Sequence, residues 1–154
     1  MQTDYLASIE NIIARRGWAC QAVFECVDDP GAEWVYSIGL EDRGWPEFIV
    51  VGLPPDVGAR TINQLCDDVA AGIRPMPASG DTLHGVAPNG YPLRTITVQP
   101  DIIQGGEWFN VALVRRGSRQ GLSAVQLVWP SVAGEWPEET TDTQPLLGDP
   151  WWAD

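Results

Sequence analysis

The sequence predicts a single α+β domain over residues 1–154, with a mixed or antiparallel sheet of about five strands packed by two main helices. Three observations support this fold class. The chain's 154 residues suit one hydrophobic core, and 44% hydrophobic with 19% charged residues is typical of a folded domain. Short runs of strand-forming residues alternate with segments of helical periodicity. One run, FIVVGL, is nearly all apolar, which is typical of a central strand buried on both faces.

The two main helices are each bounded by capping signals. The first is predicted over residues 4–16, after the capping residue Thr3 and before Gly17. The second starts at the Pro54–Pro55 pair and runs to about Ala71, with Gly72 just beyond it. In both segments apolar residues recur at spacings of three and four, so each helix is expected to pack one face on the sheet.

The strands are predicted from five segments, which are WACQAVFECV, WVYSIGL, FIVVGL, YPLRTITV and SAVQLVW. The turn signal DDPGA follows the first, and the first three are expected to form the centre of the sheet. Residues 73–91 show no period and predict a long surface loop. The segment GEWFNVALVRRG predicts a short helix with Trp108, Val111 and Ala112 on one side.

The charge is strongly acidic. The chain has 21 acidic and 9 basic residues, a net charge of -12, and every basic residue is arginine. The lack of lysine excludes a lysine Schiff base and a phosphate-loop lysine. Such a surface is repelled by nucleic-acid backbones and anionic membranes, so we expect neither as a partner. A basic protein partner is expected instead, with DNA mimicry as a more specialised alternative.

The sequence also bears on compartment and cofactors. No apolar run approaches the roughly 20 residues of a membrane-spanning helix, and no secretory signal is visible at the N-terminus, so we expect a cytoplasmic protein. Cys20, Cys26 and Cys66 are an odd set, typical of reduced, buried thiols. Together with His84 they supply four potential zinc ligands, but without the close pairs of a zinc site. No metal or cofactor is predicted.

Residues 131–154 form a Trp/Pro-rich C-terminal strap. Four of the eight tryptophans lie in the last 26 residues, with four prolines and no basic residue. Trp129 closes the last strand and is assigned to the body of the fold, whereas Trp136 lies in a turn. The positions of Trp151 and Trp152 discriminate between two roles of the strap. If they fold back the strap is structural, and if they stand exposed they are candidate anchors for a partner.

Several segments carry a family resemblance. In chain order they are GWACQAVF, WVYSIGLEDRGWPEFIVVGLPP, a helix closing in AAG, GYPLRTITV and VQLVWPSVAGEWP. Together, from Gly17 to about Trp151, they resemble the bacterial domain-of-unknown-function family 4262. The most specific positions are Tyr36, Gly39, Leu40, Pro46, Glu47, Gly52 to Pro54, Gln126, Leu127, Trp129 and Pro130. The resemblance implies a small cytoplasmic α+β domain found largely in bacteria, especially actinobacteria, and their phages. It implies no activity.

Three polar residues in the body of the chain are candidate site residues. Glu47 stands where a loop enters the apolar strand, and its charge requires a partner. The ordinary explanation is a buried ion pair with Arg43 or Arg94, and the alternative is an acid, base or ligand contact. Tyr36 and Ser37 alternate along a strand, so only one faces the core. One hydroxyl is then available to a cleft, and the more ordinary alternative is a Tyr packed on a face of the sheet. His84 is the only histidine. A lone histidine in a loop is ordinarily a surface residue, and the alternative is an acid or base.

Two classes of function remain open, because the chain has neither a nucleophile elbow nor a dinucleotide-binding glycine pattern. The favoured class is a non-enzymatic acidic protein-binding module, such as an immunity, inhibitor or anti-defence protein of a bacterial or phage conflict system. The alternative is a small enzyme or sensor that binds a flavin or nucleotide between the strap, the His84 loop and the Tyr36 strand. The candidate binding residues are Tyr36, Glu47, His84, Trp129, Trp136, Trp151 and Trp152.

Overall fold

The computed structural model describes residues 2–24, 33–88, 90–141 and 144–153. The strands are β1 (Ala19–Val23), β2 (Trp34–Ile38), β3 (Glu47–Val51), β4 (Thr82–Leu83), β5 (Leu93–Thr97) and β6 (Ala124–Val128). The helices are α1 (Gln2–Arg16), α2 (Pro55–Ala70), α3 (Pro100–Gln104) and α4 (Asn110–Arg116), with a 3-10 helix at Leu40–Arg43. Within these described ranges, no helix is long and apolar enough to cross a membrane.

The six strands form one mixed sheet in the order β1-β2-β3-β6-β5-β4. The central pair, β3 and β6, is parallel, and the other neighbours are antiparallel. Every residue of β3 and β6 is buried, because helices cover both faces of the sheet. On one face, α2 packs its buried Ile62 and Leu65 against Val35 and Phe48. On the other face α1, α3 and α4 pack over the alternate strand residues.

The α+β fold class and the mixed sheet are confirmed, as is the buried central position of FIVVGL. The predicted sheet centre is wrong in part, since β1 is an edge strand and β6 takes the central place beside β3. Chain order does not fix strand order, and the parallel pairing brings β6 in from far along the chain. Helix α1 begins at Gln2, so Thr3 lies in its first turn and does not precede it. Cys26 and the DDPGA turn lie outside the described residues.

Candidate functional site

Glu47 is fully buried, and its carboxyl group accepts hydrogen bonds from the end of β2 and from the loop that follows it. Ser37 donates its hydroxyl to Oε1 at 2.7 Å. Three backbone N–H groups complete the shell, from Gly39 at 3.2 Å, Leu40 at 3.3 Å and Glu41 at 3.1 Å. The carboxylate thus satisfies N–H groups at the start of the 3-10 helix that the helix itself leaves without acceptors. This contact ties the loop between β2 and β3 to the centre of the sheet.

The local sequence allows this loop because glycines flank the 3-10 helix. Gly39 and Gly44 have φ angles of 103° and 77°, a left-handed conformation that other residues adopt at a cost. The first turns the N–H groups of the loop towards Glu47, and the second ends the helix just before β3. The Ser37 hydroxyl makes two hydrogen bonds, because it donates to Glu47 and also accepts the backbone N–H of Phe48 at 2.8 Å.

The predicted ion pair of Glu47 with Arg43 or Arg94 is wrong. Neither arginine contacts the carboxylate. Arg43 lies over the rings of Trp18 and Trp45, with its guanidinium carbon 5.6 Å and 5.1 Å from their centroids. The backbone supplies the stabilisation that the prediction assigned to an arginine.

Burial raises the pKa of Glu47 from its ordinary value of 4.5 to about 7, against the hydrogen bonds from Ser37, Glu41 and Leu40, which favour the charged form. The folded protein therefore holds this proton up to about pH 7, whereas the unfolded chain releases it near pH 4.5. Its contribution to stability is fully present below pH 4.5 and is lost as pH rises through 7.

This titration gives a measurable pH dependence. We expect the unfolding free energy of the wild type, relative to that of Glu47→Gln, to fall by roughly 3 kcal/mol between pH 4.5 and pH 8. Urea unfolding of both proteins at several pH values measures the difference in unfolding free energy. The contributions of the other carboxyl groups to its pH dependence cancel, because both proteins carry them. A difference that stays constant with pH contradicts the raised pKa.

Tyr36 and Ser37 lie on opposite faces of β2, and both are buried. The prediction that one hydroxyl is available to a cleft is therefore wrong, because helices cover both faces of the sheet. The Tyr36 hydroxyl accepts the backbone N–H of Val111 at 2.9 Å and so positions α4. Its ring packs on Phe109, with the centroids 5.3 Å apart. Both residues serve the packing of the fold.

His84 is exposed and lies between β4 and β5. Its carbonyl oxygen accepts a hydrogen bond from Arg74, whose guanidinium also pairs with the buried Asp68. Neither His84 nor the buried Tyr36 lines the tryptophan groove described below. That groove is therefore a different site from the pocket predicted between the strap, the His84 loop and the Tyr36 strand.

The C-terminal strap folds back onto β5 and β6, where two glutamines hold it. The buried Gln126 donates to the carbonyl of Pro145 at 2.8 Å and accepts the N–H of Leu147 at 2.7 Å. Gln144 clamps Trp129 by accepting its backbone N–H and donating to its carbonyl, each at 3.0 Å. The strap is thus an integral part of the domain, as the structural alternative predicts.

The last tryptophans are docked as well, although one remains at the surface. The Trp151 indole donates to the carbonyl of Thr95 at 2.9 Å, and the Trp152 indole donates to that of Pro137 at 2.6 Å. Trp151 is nevertheless 44% exposed. Trp129 donates its indole N–H to the carbonyl of Val51 at 2.8 Å, which confirms its assignment to the body of the fold.

Three strap tryptophans surround one arginine that sequence reasoning linked only to Glu47. The guanidinium carbon of Arg94, on β5, lies 4.2 Å from the Trp136 centroid, 5.1 Å from that of Trp151 and 5.3 Å from that of Trp152. Its buried Nε atom has no hydrogen-bond partner among the described residues. Within the described part of the chain Arg94 forms no ion pair, and cation–π attraction stabilises its charge. The sequence signal for this site was a single arginine within a strand of alternating polar and apolar residues.

Beside this arginine cage, the strap forms an open groove of about 290 Å³. Its lining residues are Trp129, Ser131, Glu135, Trp136, Pro137, Thr141 and Gln144. The reversal at its edge is fixed by hydrogen bonds between Ser131 and Glu135, including the Ser131 N–H to the Glu135 carbonyl at 2.8 Å. The structure thus brings Trp129 and Trp136 together at one surface, with Trp151 and Trp152 adjoining through the cage.

A second polar cavity, of about 540 Å³, lies between α1, α4 and the 3-10 helix. Both of its arginines are paired with carboxylates, of which there are three. Arg115 pairs with Glu10 and Asp42, and Arg116 pairs with Glu41. The hydrogen bonds of Arg115 to Asp42 and Glu10 raise its pKa above the ordinary value. These pairs brace α4 against the loop that holds Glu47.

The two described thiols, Cys20 and Cys66, belong to no cluster of potential metal ligands. Cys66 is buried and Cys20 is half-buried, and burial raises the pKa of both. Across the described part of the chain, no three His, Cys, Asp or Glu side chains are grouped so that they could hold a metal ion.

Comparison with known proteins gives one match. Residues 12–142 match the family model described as Domain of unknown function (DUF4262), which confirms the resemblance carried by the sequence segments. No curated protein and no solved structure matches the chain.

Proposed function

The chain belongs to the DUF4262 family, whose description states no activity, and we propose that it is a non-enzymatic protein-binding module. Its binding face is the surface of the C-terminal strap. The observation that carries the proposal is the open tryptophan groove there, flanked by the exposed Trp151. Tryptophans of this kind supply much of the binding energy at protein interfaces.

Charge supports a basic partner. After Arg119 the chain has six acidic and no basic residues, and the one arginine beneath the strap, Arg94, is enclosed by indoles. Complementary charge accelerates association and makes binding sensitive to salt. An acidic face of this type suits a protein that blocks a basic surface, as an immunity, inhibitor or anti-defence protein would.

The alternative of a planar cofactor has weaker support. The groove's 290 Å³ lies at the lower limit of the roughly 300–1,000 Å³ of typical ligand pockets. It accommodates one or two side chains better than a flavin or a nucleotide. Glu47, the buried acid with a raised pKa, has no exposed surface from which to meet a substrate.

The proposal is tested by affinity capture from source cells, followed by calorimetry with each captured protein in purified form. The comparison uses wild type, Trp151→Ala and a control, Phe24→Ala, which removes an aromatic side chain that is 67% exposed at the other end of the sheet. We expect Trp151→Ala to weaken binding by about 2 kcal/mol and Phe24→Ala to leave it unchanged. Near-UV circular dichroism checks that the strap stays docked.

Two results would contradict the proposal. One is a purified partner that binds Trp151→Ala as tightly as the wild type at every salt concentration. The other is a stoichiometric flavin or nucleotide in the native protein, detected by its absorbance and by mass spectrometry.

A further inference from the structure

The groove between Trp129 and Trp136 has unequal hydrogen-bonding capacity on its two sides. The Trp129 indole N–H is already donated to Val51, and the Gln144 amide is already paired with the backbone N–H and carbonyl of Trp129. The Trp136 indole N–H has no acceptor among the described residues. One wall therefore carries the Trp129 ring with its N–H engaged, and the other carries the Trp136 ring, whose N–H no described residue accepts.

The charge at the groove is also unmatched. Glu135 lines it, and Glu138 and Glu139 follow on the exposed surface. None of the three forms an ion pair with any residue in the described ranges. An occupant that brings a cation to Glu135 therefore meets uncompensated negative charge.

The arginine cage decides where that cation sits. Arg94 already lies against Trp136, so a second cation placed on the same ring would meet like charge at short range. An uncharged, apolar group is better placed between the two indoles, with the cation displaced towards Glu135. The groove thus favours a ligand in which an uncharged, apolar group and a cation follow one another along the chain.

We propose that this groove binds an extended, proline-rich segment of a partner protein that carries arginine. The proposal rests on the protein-binding function above and names its ligand class. A proline ring packs between Trp129 and Trp136, the Trp136 N–H donates to a backbone carbonyl of the segment, and its arginine pairs with Glu135. The polyproline II conformation exposes its carbonyls and loses little entropy on binding, which is why aromatic-lined grooves recognise it.

The test uses fluorescein-labelled synthetic peptides with repeated Pro-Pro-Arg triplets, titrated with the full chain by fluorescence anisotropy. Matched peptides replace every proline by alanine or every arginine by glutamate. We expect binding of the Pro-Pro-Arg peptide, at least tenfold weaker binding of the alanine peptide, and none of the glutamate peptide. In ¹⁵N spectra, the Trp136 indole signal should move while that of Trp18, a buried tryptophan on another face, stays fixed.

Substitutions locate the contact without removing the cage. Trp136→Phe keeps an aromatic ring beside Arg94 but loses the N–H donor and part of the ring surface, and we expect it to weaken binding roughly tenfold. Glu135→Gln should weaken binding and reduce its salt dependence. Val132→Ala is the control, since Val132 lies in the same reversal, is 91% exposed and does not line the groove.

The proposal is overturned if the Pro-Pro-Arg peptide does not bind, if the alanine peptide binds equally, or if Trp136→Phe and Glu135→Gln bind as the wild type does. Equal binding of the alanine peptide would show attraction by charge alone. A captured partner whose affinity falls in Trp151→Ala but not in these two variants would overturn the groove assignment and leave the protein-binding function standing.

Discussion

Glu47→Ala is expected to lower the free energy of unfolding by about 4 kcal/mol at pH 5, a major share of the stability of an ordinary domain. The variant leaves the Ser37 hydroxyl and the N–H groups of Gly39, Leu40 and Glu41 without their acceptor, at a buried position. Each such donor costs about 1–3 kcal/mol when stranded, although relaxation of the loop recovers part of the sum. Urea unfolding monitored by tryptophan fluorescence measures the loss.

The matched control is Glu47→Gln, which keeps the size of the side chain and one acceptor oxygen. At pH 5 its loss should be about half that of alanine, since part of the donor shell stays satisfied. At pH 8 the wild type carries the cost of a buried charge that the glutamine variant avoids, so the gap between those two proteins narrows or reverses. Equal stability of Glu47→Ala and wild type at pH 5 would show that the Glu47 carboxyl group does not hold the loop.

The elements of this fold were predictable where a single segment carries its own signal. FIVVGL predicts a central strand because burial on both faces leaves no polar alternation, and Pro54–Pro55 and Gly72 bracket α2 by local backbone preference. The short β4 and α3 were missed. They are two and five residues long, too short to show a period, and pairing and packing with the rest of the chain stabilise them.

The candidate site was harder to predict because its key contacts join distant residues. Glu47 was correctly identified as a charge in need of a partner, but its partners are backbone N–H groups, which every sequence has and no pattern displays. Arg94 was paired with the wrong residue for a related reason. Its cage depends on a strap that returns to β5 across more than forty residues, and no local signal reports that return.

Gly148→Ala is expected to release the end of the strap and to lower the free energy of unfolding by about 4 kcal/mol, the burial energy of roughly two large apolar side chains. A Cβ at this position would lie 2.0 Å from the carbonyl oxygen of Thr97 and 3.1 Å from its carbonyl carbon. Backbone atoms of β5 cannot turn aside as a side chain can, so the strap must move. Leu147, now 3% exposed, would lose its place in the core.

Release of the strap can be measured locally, at Trp151, as well as through the free energy of unfolding of the domain. The indole N–H of Trp151 is donated to Thr95 next to the collision, so its hydrogen exchange should change from protected to fast in Gly148→Ala. Gly105→Ala is the matched control, because there a Cβ would lie 3.4 Å from the nearest backbone oxygen, a distance that needs only a slight adjustment. If the Trp151 indole N–H of Gly148→Ala is as protected from hydrogen exchange as in the wild type, β5 moves and the strap stays docked. If the strap is the binding face, Gly148→Ala should also abolish partner binding while the sheet and helices remain folded, which separates docking of the strap from folding of the body.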